Sequence, residues 1–115
     1  MNIEGLDMEQ LGLCMSTHVA QHISGYDPTA GASLFQESYL LHYDEAEDMI
    51  PEQHRHRFTH SDMFNGASGA IEIGTVEYVV MLLASEDYNR AYFLWVQYEG
   101  EQGEEHSVIV KDFLA

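Results

Sequence analysis

The chain has 115 residues, with only four basic side chains against twenty acidic ones, for a formal net charge of −16. This length fits one domain covering residues 1–115, and a hydrophobic content of 45% is too high for an acidic disordered tail. So negative a surface repels nucleic acids and anionic membranes and attracts basic proteins. We therefore expect no direct binding to nucleic acid and no association with a membrane.

The single cysteine, Cys14, allows no intrachain disulfide, which is typical of a reducing compartment. The N-terminal residues lack a basic segment followed by an apolar run, so we expect no secretory signal. No stretch of about 18 apolar residues occurs either. These features predict a cytoplasmic protein.

The N-terminal segment has a strong helical pattern. Residues 7–24 predict an amphipathic helix, because apolar side chains recur every four positions from Leu11 to Ile23. Asp7 is the expected N-cap, and Gln10 lies where a capping-box partner belongs.

The middle of the chain is less regular. A turn over 26–31 leads to a strand predicted over 33–43, where apolar residues alternate. An acidic helical turn is expected at 44–49, and a further short helix over 51–58 begins with a proline. Residues 65–69 include two glycines and predict a flexible loop.

Three β-rich runs follow in the C-terminal half. Ile71–Ala84 and Ala91–Glu99 are apolar on both faces, as strands inside a sheet are. His106–Leu114 alternates more, which is typical of an edge strand. Polar or glycine-rich connectors separate these runs and indicate hairpins.

The elements together predict an α+β fold. We expect an antiparallel β-meander of about four strands, with the strand over 33–43 as the fourth. The N-terminal amphipathic helix should pack on one face of this sheet.

A histidine-rich stretch is the densest candidate for metal chemistry. His54, His56 and His60 are residue types that bind zinc, nickel or iron. Two arginines interleave with them and would repel a cation, and no HExxH motif occurs. We therefore expect no metal, with these three histidines as weak candidates. The competing interpretation is a basic patch that pairs with the chain's own acids, such as Asp44.

Motifs for catalysis are lacking. The chain has no nucleophile elbow and no glycine-rich phosphate loop, and Cys14 lies beside the apolar helix stripe, where a thiol is buried and inert. We expect no catalytic residue, no cofactor and no enzymatic activity.

Carboxylates gather in three places, two of them at predicted hairpin turns. These carboxylates either are only solvated or form ion pairs with Lys and Arg side chains of a partner. The first group surrounds the last hairpin turn, the second follows the strand over 33–43 and the third lies on the preceding turn. They are Glu99, Glu101, Glu104 and Glu105; Asp44, Glu45, Glu47 and Asp48; and Glu86 and Asp87.

The leading hypothesis is a small acidic inhibitor or immunity-type protein. It would bind and block a basic protein, such as a nuclease or a nucleic-acid-binding complex, by carboxylate mimicry of phosphate. Toxin-immunity, anti-CRISPR and anti-restriction proteins share this size and charge, which is an analogy of composition alone.

Two alternatives remain. One is a small-molecule-binding or catalytic pocket between helix and sheet, as in cystatin-like and nuclear transport factor 2-like folds, lined by His42, His18 or Trp95. The other is an assembly subunit that uses an exposed strand edge. Self-association into a homodimer is left open.

Overall fold

A computed structural model describes residues 1–115. The chain contains one long helix, one short helix, three 3-10 turns and five strands. In chain order these are α1 (Met8–His22), a 3-10 turn (Pro28–Ser33), β1 (Glu37–His42), α2 (Tyr43–Ala46), two further 3-10 turns (Glu47–Met49 and Glu52–Arg57), β2 (Met63–Ile73), β3 (Val76–Ser85), β4 (Ala91–Glu99) and β5 (Glu105–Asp112).

The five strands form one antiparallel sheet in the order β1-β2-β3-β4-β5. The α+β meander predicted from the sequence is confirmed, with five strands instead of about four. The edge position predicted for the last strand is confirmed as well. None of the helices is both long and apolar enough to cross a membrane.

The additional strand is β2, which the sequence pattern concealed. The predicted loop 65–69 lies inside β2, and the predicted run 71–84 contains the turn that joins β2 to β3. Gly74 makes that turn with a φ of +63°, a backbone conformation that favours glycine. The glycines of 65–69 serve close packing, because a Cβ on Gly66 would meet the Tyr39 ring.

The strand predicted over 33–43 is shorter in the structure. β1 starts only at Glu37, because the preceding residues form a 3-10 turn that packs beside α1. Tyr43 already belongs to α2, whose first turn is capped by Glu45 accepting a hydrogen bond from the His42 amide.

Helix α1 forms as its pattern predicts. The Gln10 amide donates to Asp7 Oδ1 at 2.8 Å and the Asp7 amide donates to Gln10 Oε1 at 3.0 Å, which completes the capping box. Its apolar stripe is buried against the sheet and forms part of a core of 15 buried residues. The stripe consists of Leu11, Met15, Val19 and Ile23.

The other face of the sheet has a smaller core of its own. The β1–β2 connection, residues 43–62, folds back over this face and buries Tyr43, Ala46 and Ile50. These side chains pack on one residue from each of β2, β3 and β4, namely Phe64, Leu83 and Phe93. Strands β3 and β4 are therefore covered on both faces here, which explains their two-sided apolar sequences.

Gly69 supplies a test of the close approach between β2 and the chain before β1. A methyl group at Gly69 would overlap the backbone carbonyl of Leu34, which cannot rotate away as a side chain does. Gly69→Ala should lower the free energy of unfolding by about 1–3 kcal/mol, as overpacking does.

Gly100→Ala is the comparison variant, because its added methyl meets side-chain atoms of Glu104 and no backbone atom. Moving Glu104 aside would lose its hydrogen bond from the Gln102 amide, so that variant should lower the free energy of unfolding by about 1 kcal/mol at most, less than Gly69→Ala. Urea denaturation compares the two, and equal midpoints would contradict the close approach.

Candidate functional site

Half of the second sheet face has no chain segment packed over it. We call this uncovered half the open face. Its exposed residues include Ala70, Gln97 and Ser107. Four larger apolar side chains on the same face are only half-buried: Val79, Met81, Trp95 and Ile109. The open face thus begins where the cover formed by the β1–β2 connection ends.

Four glutamates cross the sheet in register at the far end of the open face. Glu72 lies opposite Glu77 in the β2–β3 pair, and Glu99 lies opposite Glu105 in the β4–β5 pair. Because Tyr78 pairs with Tyr98, the next position places Glu77 beside Glu99. All four side chains are exposed, and three strand spacings give this glutamate row a width of about 14 Å.

A surface groove of about 770 Å³ lies beside three of the four row glutamates. Glu77, Glu99 and Glu105 line it together with Glu101 from the last turn. Val79 also lines it, so the groove leads from the carboxylates toward the apolar part of the open face.

No cation of the chain neutralises the glutamate row. Every ion pair within 4.0 Å in the molecule has a histidine as its basic partner, and none of them involves a row glutamate. Like charges directly opposite each other on neighbouring strands destabilise a sheet. Repulsion between the row glutamates therefore lowers the stability of the folded protein, and no ion pair within the chain relieves it.

The structure divides the acids predicted around the last hairpin turn into two groups. Glu99 and Glu105 belong to the row and Glu101 to its groove. Glu104 instead supports the turn, because its carboxylate accepts from the Gln102 amide at 3.0 Å and lies 3.4 Å from His106 Nε2. A hydrogen bond from its own backbone amide, aided by His106 and Gln102, lowers the pKa of Glu104.

The remaining predicted acids lie at the opposite end of the sheet. Several are engaged within the molecule. The Ser85 hydroxyl and the Asn89 amide donate to Asp87 and lower its pKa, and Asp44 pairs with His60 at 3.0 Å. The group consists of Asp44, Glu45, Glu47, Asp48, Glu86 and Asp87.

Two members of the row, Glu72 and Glu77, were absent from the acids singled out in the sequence. Both lie in the run 71–84, which the sequence analysis predicts as a single strand. One strand does not place Glu72 opposite Glu77, whereas a hairpin does. The Gly74-Thr75 pair between alternating segments was the signal that would have revealed the hairpin.

The candidate histidines do not converge. His54 is only 7% exposed, and its Nε2 lies 2.8 Å from Asp112 Oδ2. His60 pairs with Asp44 on the surface, and His56 is exposed. No group of three His, Cys, Asp or Glu side chains is placed to hold a metal ion.

The three residues proposed for a pocket between helix and sheet lie apart. His18 on α1 packs edge-on against Phe113 at 5.5 Å, and burial, followed by Lys111 and His22, lowers its pKa. Trp95 lies on the opposite face, where its indole N–H donates to the Met49 carbonyl at 2.9 Å. The space between α1 and the sheet is instead filled by buried apolar side chains.

Cys14 is half-buried on α1, and burial raises the pKa of its thiol. The sequence pattern predicts a buried thiol, whereas the structure leaves it partly exposed; its raised pKa lowers the fraction of thiolate at neutral pH.

Comparison with protein-family profiles, with curated proteins and with solved structures finds no match to this chain.

Neutralising one member of the row should stabilise the protein. We expect Glu77→Gln or Glu99→Gln to raise the free energy of unfolding by about 0.2–1 kcal/mol, because each relieves cross-strand repulsion. The gain should shrink at about 0.5 M salt, where the Debye length is below roughly 5 Å. Thermal or urea unfolding at two salt concentrations measures both effects.

Glu86→Gln is the control, since this exposed acid lies on the turn at the other end of the sheet. It should leave stability nearly unchanged. A row variant that behaves like this control would show that the glutamates do not repel one another.

The His60–Asp44 pair gives a pH-dependent prediction. Its hydrogen bond to Asp44 raises the folded-state pKa of His60 above the usual value of 6.5. The pair therefore stabilises the fold below the unfolded-state pKa, and that contribution is lost as pH rises through the folded-state pKa. Asp44→Asn should lower the His60 pKa in an NMR titration, whereas Asp48→Asn should leave it in place. Equal effects of the two variants would refute the pairing.

Proposed function

We propose that this protein is a small acidic inhibitor that binds and blocks a basic protein, such as a nuclease or a nucleic-acid-binding complex. Its carboxylates would occupy the Lys and Arg side chains that otherwise hold phosphates. The observation that carries the proposal is the glutamate row, in which four exposed carboxylates lie in register with no basic side chain to neutralise them.

The spacing of the row suits phosphate mimicry. Neighbouring strands lie about 4.8 Å apart, so the row presents one carboxylate per strand at that interval. A nucleic-acid strand in a duplex presents one phosphate per about 3.4 Å of helix axis. The two spacings are of the same order, so Lys and Arg side chains that bind successive phosphates of one strand would also reach successive carboxylates of the row.

Binding would also remove the electrostatic cost that the row imposes on the fold. Arg and Lys side chains from a partner would form charge-assisted hydrogen bonds with the glutamates, and those to Arg are often bidentate. The net charge of −16 would steer a basic partner toward the protein and speed association. Packed contacts beside the carboxylates would then set the dissociation rate.

A cytoplasmic location belongs to the same proposal. An inhibitor of a nucleic-acid-processing protein acts where its target acts, and a lone cysteine suits a reducing compartment. Immunity, anti-CRISPR and anti-restriction roles all fit this mechanism, and the target distinguishes them.

The test compares two variants with the same net charge. The row variant carries Glu72→Gln, Glu77→Gln, Glu99→Gln and Glu105→Gln. The control variant carries four neutralised acids from elsewhere on the surface: Glu4→Gln, Asp48→Asn, Glu52→Gln and Glu86→Gln. Each variant loses four negative charges, so only the position of the loss differs.

Parent protein immobilised on a resin would first capture partners from a lysate of the native host, identified by mass spectrometry. The captured partner is then purified, and its binding to or cleavage of nucleic acid is measured with each form of the inhibitor. We expect the parent and the control variant to inhibit, and the row variant to be at least tenfold weaker. The association rate of the parent should fall markedly from low salt to about 0.5 M.

Three results would contradict the proposal. They are inhibition by the row variant as strong as that by the parent, an association rate indifferent to salt, and a captured partner whose activity on nucleic acid is unaffected. Loss of inhibition in both variants to the same degree would assign the effect to net charge and remove the role of the row.

A further inference from the structure

The open face is the uncovered half of a sheet face whose other half is already occupied. On the covered half, short helical segments of the β1–β2 connection pack Tyr43, Ala46 and Ile50 onto the strands. On the open half, Val79, Met81 and other apolar side chains continue the same surface and stay half-buried. The chain itself thus shows what kind of element packs on this face.

The size of the open face fits a helix. From the glutamate row to Met81 is four residues along β3, which corresponds to about 13 Å. The face is about 14 Å wide across β2 to β5. A helix is about 10–12 Å in diameter, and eight residues of it span about 12 Å. Two helical turns would cover the open face.

The charges exclude a second copy of this chain as the occupant. Another copy would bring a net charge of −16 and its own acidic row against this one. The occupant must instead carry positive charge at the end that meets the glutamate row. It must also carry an apolar stripe where Val79, Met81 and Ile109 lie.

We propose that the open face docks a basic amphipathic helix of the partner. Its apolar stripe packs on Val79, Met81 and Ile109, and its Lys and Arg side chains reach the glutamate row. This inference rests on the proposed function and specifies which kind of partner segment the inhibitor recognises.

Trp95 gives the docking surface a fixed aromatic side. Its indole N–H is held by the Met49 carbonyl at 2.9 Å, so the ring is oriented before any partner arrives. Side chains that are already ordered lose little entropy on binding, and tryptophan is enriched among residues that dominate binding energy. Trp95 is also the only tryptophan in the chain, so its fluorescence reports on this face alone.

The probe is a tryptophan-free peptide of 15 residues built from leucine and lysine in a helical amphipathic pattern. A scrambled peptide of identical composition is its control, since it has the same charge without an apolar stripe. We expect the amphipathic peptide to change Trp95 fluorescence and to bind at least tenfold more tightly than the scrambled one.

A protein variant with Met81→Gln and Ile109→Thr should weaken the amphipathic peptide about tenfold and leave the scrambled peptide unaffected. The matched control is Leu40→Gln with Val108→Thr, which alters exposed apolar residues on the other sheet face. This control should bind like the parent. Thermal unfolding of both variants verifies that each one folds.

A measurement on the parent protein needs no substitution. A spin label on the amphipathic peptide should broaden the NMR methyl signals of Val79 and Ile109 more than those of Val108 and Leu13, which are exposed on other surfaces. Uniform broadening, or equal affinity for the two peptides, would overturn the helix-docking inference and leave the glutamate row's role standing. Amphipathic binding that persists unchanged in the row variant would overturn the charge-based function as well.

Discussion

The fold depends on two strands, β3 and β4, whose apolar side chains point to both faces of the sheet and therefore need cover on each side. On the second face that cover is partial, because it buries Leu83 and Phe93 and leaves Val79, Met81 and Trp95 half-buried. Helix α1 covers one face and contributes its stripe to the larger core. The β1–β2 connection covers part of the other face, and it does so with short helical turns. Every other element is arranged around this requirement.

The candidate site arises because the second cover is incomplete. A segment of 20 residues, 43–62, is long enough to cover one end of the sheet but leaves the other end open. The strands continue past it, and their outward side chains become acidic at the last register position, directly after Ala70 and Val79 on β2 and β3 and after the polar Gln97 and Ser107 on β4 and β5. A hydrophobic surface and a row of like charges therefore lie side by side. A stable monomer needs neither of them, and a binding surface uses both.

Local signals in the sequence predicted much of the fold. The four-residue apolar repeat and the capping pair defined α1, and the two-sided runs defined β3 and β4 as inner strands. The sequence does not predict β2, because Gly66 and Gly69 are typical of a loop, whereas in the structure tight packing against neighbouring chain segments requires both glycines.

The site was harder to predict than the fold because it depends on register. Glu72 and Glu77 become neighbours only once the chain reverses at Gly74, and the row is complete only when four strands pair. The His54–Asp112 contact joins residues 58 positions apart, so no local sequence pattern predicts it. Which of these residues become neighbours depends on strand register and tertiary contacts, and composition and periodicity do not predict either of them.

The edge position of β5 has a consequence for the behaviour of concentrated solutions. An edge strand leaves backbone groups free to pair with another sheet, and β5 has eight residues and no proline to prevent this. Glu105 at its start, beside Glu101 and Glu104, makes the approach of two like edges repulsive at neutral pH. Near the isoelectric point of about 4.4 the repulsion disappears. We therefore expect the acidic surface to keep copies of the protein apart at neutral pH, and acidification toward pH 4.4 to favour association of one sheet edge with another.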